Sequence, residues 1–153
     1  MRNSWKAAYA AVIALATPMV AGWEGLRVRA YLDPVGIPTI CYGETEGVKM
    51  GDVKTKAECD KMLTFKMAYL SWRVDNIVII SMKPETHAAM VSFVYNVGEG
   101  AFKRSTLLKK LNAGDVVGAC MELDRWTYAG GRQLTGLVKR RAAERDLCLK
   151  GAV

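Results

Sequence analysis

The chain has 153 residues, of which 51% are hydrophobic and 24% charged. This is the length and composition of one folded domain, and it excludes a disordered or linker protein. The formal net charge is +7, and residues 101–153 carry 11 Lys and Arg against 5 Asp and Glu. Such a basic C-terminal part favours an anionic partner, which could be nucleic acid, a membrane surface or a cell-wall polymer.

The N-terminal segment resembles an export signal. Arg2 and Lys6 precede seventeen uncharged residues, 7–23, seven of which are alanine. As a helix this run would span roughly 26 Å, slightly less than the ~30 Å hydrocarbon core of a bilayer. It could be a signal peptide cleaved after the small-x-small sequence 14–16, an uncleaved weak anchor, or an ordinary buried helix. We favour the uncleaved anchor, since cleavage after Ala16 would leave only a short stretch before Glu24.

The remaining pattern predicts a small sheet followed by helices. Residues 27–53 are rich in glycine and contain the β-prone groups 28–32 and 39–42, which predict two or three short antiparallel strands with a turn at 33–36. Downstream, helix-start signals occur at Thr55 with Glu58 (a capping box), Pro84, Ser105, Asp115 and Thr135. These predict helices ending near Trp72, Val97, Asn112, Leu123 and Lys150. The predicted fold class is therefore α+β, mostly helical with an antiparallel β-sheet near the N-terminus.

The four cysteines lack the close spacing of a metal or redox site. In an exported protein an even number of cysteines favours disulfides, although four buried thiols are the alternative. Of the three possible pairings we favour the one whose two disulfides each join cysteines close in sequence. These are Cys41–Cys59 and Cys120–Cys148.

Two carboxylates and a hydroxyl form the strongest candidate for a catalytic site. Glu24 follows an apolar segment and Trp23, an environment that can keep a carboxylic acid protonated. Asp33 begins a turn, where water and backbone amides should keep it ionised, and Thr39 follows six residues later. Two carboxyl groups in different environments are what glycoside hydrolysis requires. A solvated helix end and an ordinary turn would also explain Glu24 and Asp33.

The same stretch carries a family resemblance. Residues 23–27 (WEGLR) and 31–43 (YLDPVGIPTICYG) are similar to the catalytic segment of the phage-type lysozymes, glycoside hydrolase family twenty-four. The similarity continues through 92–98 (SFVYNVG), Phe102, 105–112 (STLLKKLN), 125–126 (RW), 130–131 (GG) and 137–145 (LVKRRAAER). It covers about residues 23–149 and implies a lysozyme-like fold with a helical C-terminal lobe.

The resemblance implies an activity and a role for each residue. The family cleaves the β-1,4 bond between N-acetylmuramic acid and N-acetylglucosamine in peptidoglycan, without a metal or other cofactor. Glu24 matches its general acid, Asp33 the carboxylate that activates water, and Thr39 the hydroxyl that helps to hold that water. Asn96 lies where the family lines its cleft, so we expect it to bind substrate or simply to end a helix. Many members have histidine where this chain has Glu44, which removes a possible ion pair.

Some members of the family are signal-anchor-release endolysins, and the weak apolar segment here looks similar. We therefore expect residues 1–23 to be a membrane-export segment and residues 24–153 the lysozyme-like catalytic domain. The protein, encoded by a phage or prophage, would be held inactive at the host inner membrane, then released into the periplasm as a monomer that lyses the cell. Because no cysteine precedes Cys41, release would not need disulfide exchange.

Two other functions remain as alternatives. A lytic transglycosylase would retain the acid but form an anhydro product, and a non-enzymatic membrane- or wall-binding protein would need only the basic part and the apolar segment. Nucleic-acid binding is the weakest interpretation, since no motif accompanies the basic residues. We interpret residues 139–141 and Arg145 as a solvated basic helix face, which would also attract the anionic envelope. His87 and Trp126 are expected to be structural.

Overall fold

The computed structural model of the protein describes residues 4–153 and, from residue 9 onward, their side chains. Arg2 and the side chain of Lys6, the cations of the predicted N-terminal head, lie outside this part. The helices and strands follow in chain order: α1 (Ser4–Glu24), β1 (Arg27–Leu32), β2 (Pro38–Cys41), α2 (Lys56–Ile77), α3 (Pro84–Val97), α4 (Glu99–Lys103), α5 (Thr106–Asn112), α6 (Val116–Glu122), a 3₁₀ turn (Leu123–Arg125), β3 (Tyr128–Ala129), β4 (Arg132–Gln133) and α7 (Thr135–Lys150). The predicted α+β class, mostly helical with a small sheet near the N-terminus, is confirmed.

Helix α3 lies at the centre of the molecule. Its residues from Thr86 to Val94 are all buried, which requires other elements on every side of the helix. Helices α1, α2 and α7 all pack against it. Phe93 on α3 also meets the rings of Phe102 and Trp126 edge to face, at centroid distances of 6.3 and 5.2 Å. The end of α1 and the middle of α7 are thereby brought to the same helix, although they are far apart in sequence.

Helix α1 contributes one face to this core. Val12, Ala16 and Val20 are spaced by four residues and are buried, as expected of one side of a helix. The helix packs against α2 and α3 and contains Pro18. None of the helices in the described part of the chain combines the length and the hydropathy needed to cross a bilayer.

The predicted sheet forms where the β-prone groups lie. Strands β1 and β2 are antiparallel, with Tyr31 opposite Thr39. Arg29 forms a further isolated bridge with Val53. Gly36, with φ of +82°, supplies the left-handed conformation that the connecting turn needs.

The helix starts were predicted better than the helix ends. The Thr55 capping box is present, and Ser105 and Asp115 cap α5 and α6. Helix α2 continues five residues past the predicted end at Trp72, because no glycine or proline interrupts it and Val74 is still buried. Thr135, the predicted cap of α7, is instead its first residue. Leu134 precedes it and is held outside the helix by donating its N–H to the Thr127 carbonyl.

Two short elements were not predicted. Helix α4 is a single turn that begins directly after Gly98. Strands β3 and β4 form a hairpin whose two turn residues, Gly130 and Gly131, both have positive φ. Two consecutive residues of this kind are typical of a two-residue hairpin turn, and the glycine pair was the available signal.

Candidate active site

Glu24 is the last residue of α1, and its carboxylate is held from two directions. Oε1 accepts a hydrogen bond from Arg140 Nη1 of α7 at 2.8 Å, and the side chain is 23% exposed. Oε2 approaches the backbone of Gly43 so closely that a Cβ added to this glycine would lie 3.3 Å from it. Because Gly43 also has a φ of +87°, a side chain at this position would be both strained and crowded. Glycine at position 43 therefore leaves room for the Glu24 carboxylate.

Tyr95 of α3 forms the other wall beside Glu24. Its hydroxyl donates a hydrogen bond to the carbonyl of Tyr42, which fixes the turn before Gly43. Burial, followed by the negative charges of Glu24 and Glu44, raises the pKa of the Tyr95 hydroxyl. Tyr95 is therefore a neutral hydrogen-bond donor in the neutral pH range.

Asp33 follows β1 and is held by its own turn. Its Oδ1 accepts hydrogen bonds from the backbone N–H groups of Val35 at 2.9 Å and Ile37 at 2.8 Å, in the manner of an Asx turn. Oδ2 accepts no hydrogen bond from the residues that the structure describes. The turn thus fixes the carboxylate and leaves one oxygen for a further donor.

Thr39 lies on the neighbouring strand, opposite Tyr31, so these two side chains share a face of the sheet. Asp33 follows Tyr31 by two residues, directly after β1 ends. The Thr39 hydroxyl donates to the carbonyl of Ile37 at 2.9 Å. A hydroxyl that donates once can still accept, although Thr39 is only 4% exposed.

Arg140 is a residue of this site that the sequence did not reveal. The solvated basic face predicted for residues 139–141 is wrong for Arg140 and Arg141, which are both buried. Arg140 donates to Glu24, to Glu144 at 3.4 Å and to the Ser92 carbonyl at 3.2 Å. Arg141 donates to Glu144 Oε1 at 2.5 Å. Glu144 follows Arg140 by four residues and Arg141 by three, and this spacing was the available signal.

Asn96 and Glu44 both have partners in the structure. The Asn96 side-chain oxygen accepts a hydrogen bond from Arg141, and substrate binding by Asn96 stays a prediction. Glu44 lies 4.0 Å from Lys66 Nζ of α2, and its side chain is only 18% exposed. An ion pair therefore links the loop that contains Glu44 to α2. Its acid lies on the loop and its cation on the helix, so this position has a charged partner although it lacks the histidine.

A cavity of about 310 Å³ lies beside these residues. Gly43, Glu44 and Tyr95 line one part of it, and Lys66 and Tyr69 of α2 line another. Gly43 and Tyr95 both border the Glu24 carboxylate, so the cavity lies next to that group, although Glu24 does not itself line it.

The other residues singled out in the sequence have structural contacts. The cysteines form the two favoured disulfides, Cys41–Cys59 and Cys120–Cys148. His87 is buried, with Nε2 2.9 Å from the Ser71 carbonyl. The Trp126 carbonyl accepts a hydrogen bond from Arg141 at 2.9 Å.

Comparison with known proteins identifies the class to which this arrangement belongs. The phage lysozyme family matches residues 21–144. The SAR-endolysin of Bacteriophage PS119 is 43% identical over 159 residues, which cover 99% of this chain and 95% of that protein. The muramidase domain of SpmX from Asticaccaulis excentricus is 33% identical with a TM-score of 0.81, over 88% of this chain and 94% of that one. The active form of the P1 phage endolysin Lyz is 27% identical with a TM-score of 0.79, over 89% and 83%.

The chain therefore belongs to the phage lysozyme family, as its motifs predicted, and it is an endolysin with a lysozyme domain.

Proposed function

We propose that the protein is a muramidase that hydrolyses the β-1,4 bond between N-acetylmuramic acid and N-acetylglucosamine in peptidoglycan, and so lyses the host cell from the periplasm. The observation that carries this proposal is the position of Glu24, whose carboxylate is fixed between Arg140 and the bare backbone of Gly43 beside a cavity. The family match and the likeness to the muramidase domain of SpmX support it. The protein would act as a monomer and without a cofactor.

Glu24 is the proposed general acid. It would donate a proton to the glycosidic oxygen as the bond to the leaving sugar breaks. A general acid must be placed within hydrogen-bond reach of that oxygen, and Arg140 restrains Glu24 through a side chain that is itself buried. The neutral Tyr95 hydroxyl holds the adjoining turn without adding a charge.

Asp33 and Thr39 are proposed to orient the attacking water. Asp33 Oδ2 and the lone pairs of the Thr39 hydroxyl are both acceptors. A water that donates one proton to each of them would direct its own lone pair outward, toward the anomeric carbon. Asp33 would accept a proton as the water attacks, so this arrangement corresponds to an inverting hydrolysis.

The test is the Glu24→Gln variant on purified peptidoglycan, with products identified by mass spectrometry. We expect the parent to release fragments with reducing N-acetylmuramic acid ends and the variant to release almost none. Asp146→Asn is the control, because Asp146 is an exposed acid that pairs only with its neighbour Arg145 among the residues that the structure describes. Anhydromuramic ends would instead identify a lytic transglycosylase, and an active Glu24→Gln variant would remove Glu24 as the acid.

Membrane release is the proposed control of this activity. The relatives named SAR-endolysin support it, and so does the chain itself, because Glu24 ends the same helix that would enter the membrane. Among the residues that the structure describes, no helix is as long and apolar as a stable membrane span, so in this proposal residues 7–23 are held only weakly in the bilayer and can leave it. While they lie there, Glu24 is held at the surface and cannot reach Arg140 and Gly43. On release, Val12, Ala16 and Val20 become buried in the domain and Glu24 reaches its partners.

A single substitution tests the release. The Cβ of a residue at Gly22 would meet no atom within 4 Å, so Gly22→Leu makes the segment more apolar without crowding the folded domain. We expect delayed lysis of expressing cells with normal activity of the purified domain. Gly136→Leu is the matched control, because position 136 on α7 is equally open. Lysis by Gly22→Leu as fast as by the control would contradict release as the timing step.

A further inference from the structure

A second, larger groove continues from the cavity beside Glu24. It has a volume of about 1040 Å³ and runs along α2 under the loop that follows β2. Glu44, Lys66 and Tyr69 border both the groove and the smaller cavity. A ligand that reaches Glu24 through the cavity can therefore extend into the groove. The volume is at the upper end of that of sites enclosing drug-sized molecules, roughly 300–1,000 Å³.

Two aromatic rings on α2 border the groove and are open to solvent. Phe65 is 76% exposed and Tyr69 is 46% exposed. They are four residues apart, so they lie on the same face of the helix. A ring that remains exposed contributes little to folding, and packing therefore does not explain Phe65. Exposed rings bordering a groove are suited to packing against the flat, apolar face of a sugar.

The groove is lined by three lysines and three glutamates. Glu44 pairs with Lys66, whereas Glu58 keeps its charge while accepting the Thr55 N–H in the capping box. Lys54 and Lys61 form no ion pair within 4.0 Å with any residue that the structure describes. Their two ammonium groups therefore remain able to bind carboxylates of a ligand.

We propose that this groove binds peptidoglycan beyond the bond that is cleaved. Phe65 and Tyr69 pack against sugar rings of the glycan strand, while Lys54 and Lys61 bind carboxylates of the peptide attached to it. The inference rests on the proposed function for its ligand, because the groove takes the next part of a polymer whose scissile bond lies at Glu24. The face of α2 that carries Phe65 and Tyr69 would therefore help to select long, peptide-bearing strands.

Binding tests the groove separately from cleavage. Dissociation constants are measured by calorimetry in the Glu24→Gln background, with purified glycan strands whose peptides have been removed by an amidase. We expect Phe65→Ala and Tyr69→Ala each to weaken binding by roughly threefold to tenfold, the range measured for aromatic contacts. Ile79→Ala is the control, because Ile79 is 78% exposed but does not border the groove. It should bind as the background protein does.

The proposed role of the two lysines is tested by comparing the binding of peptide-bearing and stripped strands. The double variant Lys54→Gln with Lys61→Gln should bind peptide-bearing strands roughly threefold to tenfold more weakly and bind stripped strands unchanged. Lys139→Gln, an exposed cation on α7, should change neither. An equal loss on both kinds of strand would overturn the assignment of the lysines to the peptide.

Unchanged binding by both aromatic variants would overturn the glycan assignment. Loss of affinity for anionic phospholipid vesicles by these variants, with unchanged glycan binding, would overturn it in favour of a membrane contact. Failure of the proposed muramidase function would be seen in the separate cleavage assay, in which the parent protein would release no fragments from peptidoglycan. Binding in the Glu24→Gln background does not depend on that result.

Discussion

The two carboxylates of the proposed site are held by different parts of the molecule. Asp33 is fixed within its own turn, by the N–H groups of residues two and four positions away. Glu24 is fixed by Arg140, which lies 116 residues away along the chain. One of the two groups therefore depends only on local backbone geometry, whereas the other depends on α1, α3 and α7 having packed together.

The site therefore combines one carboxylate that is fixed by a local turn with one that is fixed only by the complete fold. The Asp33 turn can form whenever the short hairpin forms. Arg140 meets Glu24 from within the helical core, where Glu144 compensates Arg141 and also contacts Arg140. A buried guanidinium without a partner is costly, so this placement depends on the core being intact. Burial lowers the pKa of Arg141 even beside that acid. The position of Glu24 should thus respond to changes in the helical core that leave Asp33 unaffected.

The largest effect is expected from Glu144→Ala. Glu144 is fully buried and accepts hydrogen bonds from Ser92, Arg140 and Arg141. Its removal leaves the buried Arg141 without an acid and Arg140 with Glu24 alone, so we expect a loss of about 3–5 kcal/mol in the free energy of unfolding. Urea denaturation measures this. Asp146→Ala on the same helix is the control and should stay within about 0.5 kcal/mol. A loss below about 1 kcal/mol would mean that the core does not depend on this acid.

Next in size is the effect of Arg140→Lys on turnover. Lysine keeps the charge, but its single ammonium cannot meet Glu24, Glu144 and the Ser92 carbonyl in the geometry of a guanidinium. We expect kcat to fall by about tenfold to a hundredfold through misplacement of Glu24. KM should be unchanged. Assays are run below the melting temperature of the variant. Lys139→Gln is the neighbouring control, and equal kcat values for the two variants would argue against positioning by Arg140.

Two variants of Asp33 separate its effect on the stability of the turn from its effect on activity. Asp33→Asn keeps an oxygen that can accept both backbone N–H groups, whereas Asp33→Ala removes it. We therefore expect Asp33→Ala to lose about 1–2 kcal/mol of stability and Asp33→Asn to lose little. Both should be inactive on peptidoglycan. Thermal melting and the release of fragments are the two measurements. An active Asp33→Asn variant would show that the carboxylate is not needed as a base.

The sequence was most informative where a signal acts over a few residues. The Thr55 capping box and the Asp33 turn were both predicted, because each depends on neighbours in the chain. The two disulfides span 18 and 28 residues and were favoured only as the pairing closest in sequence. The β-prone groups 28–32 and 39–42 predicted the strands, and thus the position of Thr39 on the sheet. The proposed catalytic roles of Glu24, Asp33 and Thr39 came from the family resemblance, since spacing alone also fits a helix end and a turn.

What the sequence did not predict depends on distant partners. Glu144 follows Arg140 by four residues, but that spacing fits an exposed ion pair as well as a buried one. A helix with several cations therefore resembles a solvated face until α3 is placed against it. The charge pair of Glu44 and Lys66 and the groove along α2 also require the loop and the helix to be brought together. Each of these features is a contact across the fold, which local propensity does not encode.

The smallest expected effect is a pH dependence from His87, the only histidine in the chain. Burial lowers the pKa of the His87 ring from its usual 6.5, against the smaller opposing effects of the Ser71 carbonyl and Asp75; Tyr9 packs on the ring edge to face. Between the lowered pKa of His87 and about pH 6.5, the unfolded chain therefore binds a proton that the folded protein does not.

Stability should fall as the pH decreases from about 6.5 toward the lowered pKa of His87, by at most ~1.4 kcal/mol per pH unit. Urea denaturation between about pH 5.5 and 7.5 measures this slope, in a range where the carboxylates contribute little. His87→Gln retains a donor for the Ser71 carbonyl but cannot titrate, so it should have the flatter profile. Equal slopes for parent and variant would mean that the core accepts a charged His87, with the nearby Asp75 offsetting the cost of burial.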